Sequence, residues 1–453
     1  MPASSENDAQ PSDRAATSAS SSAEPQLDAY GFRLPSENLD QAGREASDKE
    51  QEEMTEKWSK YAKQRSLPSA AKLKRYCRRG IPPSIRPWAW PEISGANQRK
   101  HEHQAGYYAL MVRQGEAGSE CAHQIDLDLP RTFPLNAWVA GSAGQTALRR
   151  VLLAFSMHKP TVGYCQSMNY IAAMLLLVLN KCEEDAFWVL VALIDDGILY
   201  RDMYANNLLG THVEMRSLEE LLGMKLPRLR QHLVKLQCDI TIIATDWFLC
   251  LFATVLPSES AMRVWDALLH EGPKVLYRMA LALLKMQEEV LLQQDNPGFV
   301  LHKLKRAAHA THDRAALMKV AFEGVGSMPM ARIEGFREQK QEVVQVELRR
   351  RETRQQLQKA ISDNDTSDHD VLSSRGHRTT TTTTTVHTTT LVEKLKLTYT
   401  RSTMAATRPH HASHAVLFTP AGISAFADKI KLTYTSRRRD ISSIRRGSPS
   451  SSH

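Results

Sequence analysis

The sequence lacks the signatures of the common nucleotide- and metal-dependent enzymes. It contains no G-x-x-x-x-G-K-[ST] phosphate loop, so the chain is not expected to be a P-loop GTPase itself. It also has no HExxH motif, and His309 and His312, three residues apart, are more typical of a surface than of a metal site. We therefore expect the chain itself to hold no metal and no cofactor.

Cysteine is scarce, and its spacing excludes two further classes. The six cysteines show no CxxC pair, which argues against a zinc ribbon or a disulfide framework and fits a reducing cytosol.

The polar N-terminus has no apolar signal region, no glycine follows Met1 and no CaaX cysteine ends the chain. We expect a cytoplasmic protein.

A membrane-spanning run is also missing. The best candidate, Ile240–Leu256, is interrupted by Asp246 and is short for a span. Its aromatic residues Trp247, Phe248 and Phe252 favour a helix buried inside a large helical protein.

The central part of the chain has the periodicity of helices. Apolar residues recur every three or four positions, as in Leu148, Val151, Leu152 and Phe155, and glycine and proline separate the segments. No run of alternating β-branched residues with hairpin turns is visible. The sequence predicts an all-α, multi-helix core.

Polar extensions flank that core. Residues 1–60 carry a net charge of about −7 and residues 361–453 about +6, so the basic balance lies largely in a tail and gives no reason to expect a nucleic-acid partner. Tyr30-Gly31-Phe32 is an aromatic island that could dock on the core. We predict a disordered acidic arm (1–57), a helical lead-in (58–77), the main domain (78–290), helices that complete it (291–334), a charged helix (335–360) and a disordered basic tail (361–453).

Two of these extensions have alternative interpretations. The helix at 335–360 is either a solvated extension or a short coiled coil, although its a and d positions are not sustained. In the tail, which contains the threonine run Thr379–Thr385 and the related LKLTYT and IKLTYT segments, Arg437–Arg439 and Arg445-Arg446 could contact anionic lipid. The alternative is that these charges only solubilise the tail.

Arg131 is the first candidate functional residue. Ile125, Leu127 and Leu129 alternate with acidic residues, which predicts an extended segment, and the prolines at 130 and 134 restrict the backbone around Arg131. A rigid arginine loses less entropy when it engages a phosphate than one on a mobile loop. The alternative is an ion pair with Asp128 at the surface.

Gln166 is the second candidate. It follows a turn marked by Pro160 and Gly163 and precedes the apolar run Met168–Leu179. A glutamine here could cap backbone donors, but a neutral amide that donates and accepts can also align a water molecule. Cys165, with His158 nearby in sequence, could suggest a thiol hydrolase, although an inert buried thiol is the simpler interpretation.

Together these segments resemble the TBC domain of Rab GTPase-activating proteins. The segment GIPPSIRPWAW, with Gly80, Arg86 and Trp90, is similar to the opening of that domain. The IxxDxxR pattern of the family falls on Ile125, Asp128 and Arg131, and its YxQ pattern on Tyr164 and Gln166. The resemblance extends over residues 78–290 and includes the closing segments Asp246-Trp247-Phe248, Phe252, Leu256-Pro257, Trp265-Asp266 and Gly272.

The resemblance implies an activator that acts on a Rab-type GTPase in its GTP form. Arg131 would stabilise the charge that develops during phosphoryl transfer, and Gln166 would orient the attacking water. GTP and magnesium would be held by the GTPase, and the role implied is in vesicle and membrane trafficking, with peripheral endomembrane contact through the basic tail. Supporting or partner-binding roles are implied for Asp128, Tyr164, Ile125, Arg86, Trp90 and Asn169.

Two positions depart from the family pattern, and two rival functions remain. Ser167 and Pro87 stand where many members have glycine, and the serine could reduce activity or alter the choice of Rab. The chain could instead be a Rab-binding scaffold or effector without catalysis, a reading weakened by the presence of both Arg131 and Gln166. A helical-repeat scaffold would require an internal periodicity that the core lacks.

Overall fold

The fold was analysed in a computed structural model that describes residues 26–34, 41–195 and 197–372. At 41–48 and 358–372 only the backbone is described. Within these ranges there is no β-strand, and one isolated antiparallel bridge joins Leu27 to Arg33. The prediction of an all-α core is confirmed.

Ten helices form the first half of the described chain. Their bounds are α1 Gln41–Gln64, α2 Ala70–Arg79, α3 Arg86–Ile93, α4 Ala96–Glu102, α5 Tyr107–Gly118, α6 Ala122–Asp128, α7 Ala137–Ala140, α8 Ser142–His158, α9 Met168–Val178 and α10 Glu183–Ile194. A short 3-10 helix, Leu129–Arg131, follows α6 directly.

Nine helices follow. They are α11 Leu209–Lys225, α12 Pro227–Lys235, α13 Thr241–Leu249, α14 Ser258–Glu271, α15 Lys274–Met286, α16 Glu288–Leu292, α17 Pro297–His309, α18 Arg314–Lys319 and α19 Met330–Leu372. One π-helical turn, Val320–Gly324, follows α18. Among the described residues, no helix combines the length and apolar character that crossing a bilayer would require.

Helices α8, α9 and α10 pack against one another at the centre of the first half. Almost every residue of α9 is buried, as expected for a helix that is apolar on all sides. The predicted stripe of α8, from Leu148 to Phe155, is buried as well. Helix α5 approaches α8 closely because Gly115 has no side chain; a Cβ there would lie 2.8 Å from Cβ of Leu153.

A buried carboxylate, Asp266 on α14, connects the opening and closing segments of the domain. Its oxygens accept hydrogen bonds from Arg86 at 3.0 and 2.9 Å, from the Trp90 indole at 2.8 Å and from the Ile81 backbone N–H at 2.8 Å. Asp266 is fully buried and Arg86 is 3% exposed. Pro87 fits in the first turn of α3, where a missing N–H costs no helical hydrogen bond.

Helix α19 packs against α11, so its description as a solvated extension was wrong for its first half. Arg337 donates to both carboxylate oxygens of the buried Glu214, at 2.6 and 3.0 Å. Val344 and Leu348 are buried against Val213 of α11. The helix also begins earlier and ends later than predicted, at Met330 and Leu372.

Three other expectations need adjustment. Helix α1 begins at Gln41, so residues 41–57 are helical where disorder was predicted, and Met54 is buried. The buried run from Ile240 is not one helix, since α13 ends at Leu249 and the chain then turns through Leu251 and Phe252 at positive φ. The predicted tail is helical as far as Leu372, and the threonine run, the repeated segments and the arginine clusters lie outside the described residues.

We predict that Asp266→Asn lowers the free energy of unfolding by about 3–5 kcal/mol, because it removes the fully buried counter-charge of Arg86 and leaves only the partly exposed Glu259, at 3.3 Å, as its ionic partner. Urea unfolding followed by tryptophan fluorescence would measure this. Asp126→Asn is the matched control, since Asp126 pairs with Arg149 at the exposed surface, where such pairs contribute at most about 1 kcal/mol. Equal effects of the two substitutions would contradict the role given to Asp266.

Candidate functional site

The segment that carries Arg131 is helical, and the prediction of an extended segment was wrong. Ile125, Asp128 and Leu129 lie on one buried face of α6 and the following 3-10 turn, whereas Leu127 is 47% exposed. The buried residues Ile125, Asp128 and Leu129 have the i, i+3 and i+4 spacing of a helix, but the apolar residues at 125, 127 and 129 also alternate, and the helical interpretation was missed. Pro130 is compatible with this geometry because it lies in the first turn of the 3-10 helix.

Asp128 is the centre of the site. Its carboxylate is fully buried and forms an ion pair with Nη2 of Arg131, whose side chain is 41% exposed. Tyr164 donates its hydroxyl to the other oxygen, Oδ2, at 2.5 Å, and Gln124 donates an amide N–H at 3.3 Å to Oδ1, the oxygen paired with Arg131. One buried charge therefore fixes the exposed arginine and, through Tyr164, the segment that carries Gln166.

A second link joins the same two segments. The Thr132 hydroxyl donates to the backbone carbonyl of Asp128 at 2.8 Å and accepts from Nδ2 of Asn169 at 2.7 Å. The side-chain carbonyl of Asn169 in turn accepts the backbone N–H of Ser167 at 3.2 Å. Gln166 thus lies between two anchored positions, Tyr164 on one side and Ser167 on the other.

The turn around Gln166 has a defined backbone. Gly163 has φ +61°, a left-handed conformation that glycine adopts without strain, and Ser167 has φ 108° although it is not a glycine. Cys165 and Ser167 are each 8% exposed, and Gln166 between them is half-buried. The turn therefore buries the neighbours of Gln166 while part of the glutamine reaches the surface.

Burial also determines the chemistry of the adjacent residues. Burial, together with the negative charge of Asp128, raises the pKa of the Tyr164 hydroxyl far above its usual value, so the tyrosine remains a hydrogen-bond donor. Burial raises the pKa of the Cys165 thiol to about 12. A protonated thiol is a poor nucleophile. His158 does not activate it, because its ring nitrogens face the Tyr107 hydroxyl at 3.0 Å and the Asp195 carboxylate at 3.5 Å. The thiol-hydrolase alternative is therefore not supported.

Three aromatic side chains, Phe32, Phe133 and Tyr170, pack together at the loop that follows Arg131, and we call them the aromatic clamp. Phe133 packs edge-on between Phe32, at 5.1 Å between ring centroids, and Tyr170, at 5.2 Å. Asn136 donates to the backbone carbonyl of Tyr30 at 2.8 Å. The aromatic island at residues 30–32 therefore does dock on the core, and it docks directly against the loop that follows Arg131.

The predicted site residues fall into two groups. Arg131, Asp128, Tyr164 and Asn169 belong to the network described above, with Gln166 between its anchored positions and Ile125 buried beneath it. Arg86 and Trp90 lie in the core at Asp266, so they support the fold and leave almost no surface for a partner. Sequence reasoning missed Thr132, Phe133 and Asn136; only Asn136, which caps α7, carried a local signal as an N-cap residue.

None of the described residues forms a cluster of three or more histidine, cysteine or acidic side chains suited to a metal ion. What the site offers chemically is the partly exposed arginine side chain on one fixed turn and the half-buried glutamine on a second fixed turn. The guanidinium can donate hydrogen bonds to anionic oxygens, and the amide can both donate and accept.

We predict that Ser167→Gly is more stable than Ser167→Ala by about 1 kcal/mol. Both substitutions remove the hydroxyl, but only alanine keeps a Cβ at φ 108°, where an L-residue is strained. Urea unfolding of the two variants side by side would measure the difference. A more stable alanine variant would show that the backbone conformation at this position carries no strain.

Comparison with known proteins agrees with this architecture. The family model for the Rab-GTPase-TBC domain matches residues 83–292. The crystal structure of the Chlamydomonas flagellar RabGAP TBC domain superimposes with a TM-score of 0.61 at 43% sequence identity, covering 67% of this chain and all of that one.

The curated relatives differ in the share of their own length that this chain spans. TBC1 domain family member 2A of Mus musculus is 40% identical over 285 residues, which are 62% of this chain but only 31% of that protein. Growth hormone-regulated TBC protein 1 of Homo sapiens is 34% identical over 322 residues, which are 69% of this chain and 94% of that protein. The chain belongs to the TBC-domain family of Rab GTPase-activating proteins.

Proposed function

We propose that this chain stimulates GTP hydrolysis by a Rab-type small GTPase, with Arg131 and Gln166 both supplied in trans, and that it thereby regulates membrane trafficking. The observation that carries the proposal is the buried Asp128 carboxylate, which binds Arg131 and the tyrosine two residues before Gln166. Family membership makes a GTPase in its GTP form the expected partner. GTP and magnesium would come with that partner.

Arg131 has the properties that charge stabilisation requires. A guanidinium has five N–H donors, and the ion pair with Asp128 leaves others available to a second anion. Two contacts fix Arg131: its side chain forms an ion pair with Asp128, and its backbone carbonyl accepts a hydrogen bond from the Tyr170 hydroxyl at 3.3 Å. Because this order exists before binding, little additional entropy is lost when the side chain meets a phosphate.

Gln166 is suited to a different task. Phosphoryl transfer needs a water molecule aligned with the scissile bond, and a GTPase ordinarily supplies a glutamine for this purpose. An amide on a turn held at Tyr164 and Ser167 can provide the same donor and acceptor from outside. In this mechanism the chain positions groups and stabilises charge, and it accepts no phosphoryl group itself.

We expect Arg131→Ala to reduce the stimulated rate of hydrolysis by about 10³-fold or more, the usual contribution of an arginine finger. Gln166→Ala should reduce it strongly as well, because the water loses its alignment. Single-turnover hydrolysis by a panel of GTP-loaded Rab proteins would measure both effects. Arg149→Ala and Gln98→Ala are matched controls: Arg149 lies on α8 paired to Asp126, and Gln98 lies on the exposed side of α4.

Unchanged stimulation by Arg131→Ala would contradict the mechanism. A wild-type chain that bound a GTP-loaded Rab without accelerating hydrolysis would instead support the scaffold or effector alternative. One observation favours that alternative: the exposed arginine already has a partner in Asp128.

We also expect Tyr164→Phe to lower stimulation by about tenfold, since it removes one hydrogen bond to a buried charged group and loosens the Gln166 segment. The fold should persist, because both side chains fill the same volume. Tyr108→Phe is the matched control, as Tyr108 donates to Glu183 at 2.8 Å elsewhere on the domain. Equal stimulation by the two variants would show that the Tyr164 hydrogen bond does not position Gln166.

A further inference from the structure

Leu135 is the most exposed large hydrophobic side chain among the described residues, with 75% of its surface accessible. It lies in the turn Phe133–Asn136, closed by a hydrogen bond from the Asn136 N–H to the Phe133 carbonyl at 2.9 Å. Pro134 precedes it and is exposed as well. The tip of this turn is therefore apolar and faces solvent.

The turn is rigid even though its tip is exposed. Phe133 has φ 41°, a strained conformation for a bulky residue, and its ring is held between Phe32 and Tyr170. Asn136 accepts the Val139 N–H at 3.1 Å and donates to the Tyr30 carbonyl. Because these contacts fix the backbone on both sides of Leu135, little backbone entropy is lost when Leu135 meets a partner, as is favourable for an interface anchor.

Leu135 lies within reach of a protein partner that also contacts Arg131. Four residues of fully extended chain span at most about 14 Å, and the turn makes the separation shorter. A protein interface of standard size covers about 800 Å² on each partner, equivalent to a disc of roughly 16 Å radius. Leu135 is therefore within the area that such an interface would cover if Arg131 lay near its centre.

We propose that Leu135 is a preformed docking anchor that inserts into an apolar surface beside the nucleotide site of the GTP-loaded GTPase. The inference rests on the proposed function and adds a division of roles to it. Arg131 and Gln166 act on the reaction, whereas Leu135 contributes affinity and, through the shape of the surface it meets, selectivity among GTPases. A second copy of this chain is the competing occupant.

The test separates affinity from rate. Binding of wild type and Leu135→Ala to Rab proteins loaded with a non-hydrolysable GTP analogue gives Kd, and hydrolysis at increasing concentrations of GTP-loaded Rab gives kcat and KM. We expect Leu135→Ala to raise Kd and KM by about tenfold and to leave kcat unchanged, because the lost contact is equal in the ground and transition states. Leu135→Asp should raise both values further.

Leu357→Ala is the matched control, since Leu357 is 62% exposed but lies on α19, which packs on α11. It should leave Kd, KM and kcat at wild-type values. Circular dichroism and thermal unfolding would verify that all variants are folded, as expected for changes at an exposed side chain.

The outcomes are distinguishable. Wild-type binding without stimulated hydrolysis would overturn the catalytic proposal, whereas an increased Kd for Leu135→Ala would still support the anchor. Normal stimulation with unchanged Kd and KM in Leu135→Ala would overturn the anchor alone. A change only in self-association, measured by analytical ultracentrifugation, would assign Leu135 to a second copy, and failure of the wild-type chain to bind any GTP-loaded Rab would reject both proposals.

Discussion

The site depends on one buried charge, the carboxylate of Asp128. A carboxylate with no exposed surface must be compensated, and here the compensation comes from Arg131, Tyr164 and Gln124. Because Arg131 and Tyr164 lie in different segments of the chain, satisfying Asp128 also brings those segments together. The contacts that offset the desolvation cost of burying Asp128 therefore include the ion pair that holds Arg131 at the surface.

Asp128 is connected to a second buried carboxylate by way of the N-terminal segment. Asp266 binds Arg86, Arg86 binds the Tyr30 hydroxyl, and the Tyr30 carbonyl accepts from Asn136 in the turn beyond Arg131. Residues 26–34 lie far before the region matched by the family model, yet they contact the turn that directly follows Arg131, the proposed finger. The loop is therefore stabilised by parts of the chain that a domain boundary drawn at the family match would leave out.

The helical core could be predicted from the sequence because burying one face of a helix requires apolar residues every three or four positions, as in α8. The prediction failed at Ile125–Pro134, where Ile125 and Leu129 fit both a strand-like alternation and a helical spacing, and where the buried Asp128 looks like a surface acid. The hydrogen bonds among Thr132, Asn169 and Ser167 were beyond prediction, since they join residues up to 37 apart and have no periodic signal. Arg131 and Gln166 were candidates on local sequence grounds, and the family resemblance implied their roles and the supporting residues, whereas the contacts that connect these residues came only from the structure.

In the proposed function, Arg131 and Gln166 are held in position before the GTPase binds, which accounts for the many internal contacts around these few exposed groups. Positive φ at Phe133 and Ser167 is unfavourable locally and persists only because aromatic packing at one position and burial at the other maintain it. That cost is met when the domain folds, so it does not recur when a partner arrives. If the loops were instead mobile, ordering them would oppose association and delay the alignment of arginine, glutamine and water that phosphoryl transfer needs. In the proposed mechanism, the strained turns, the buried acid and the aromatic clamp together keep Arg131, Gln166 and Leu135 in fixed positions before a partner binds.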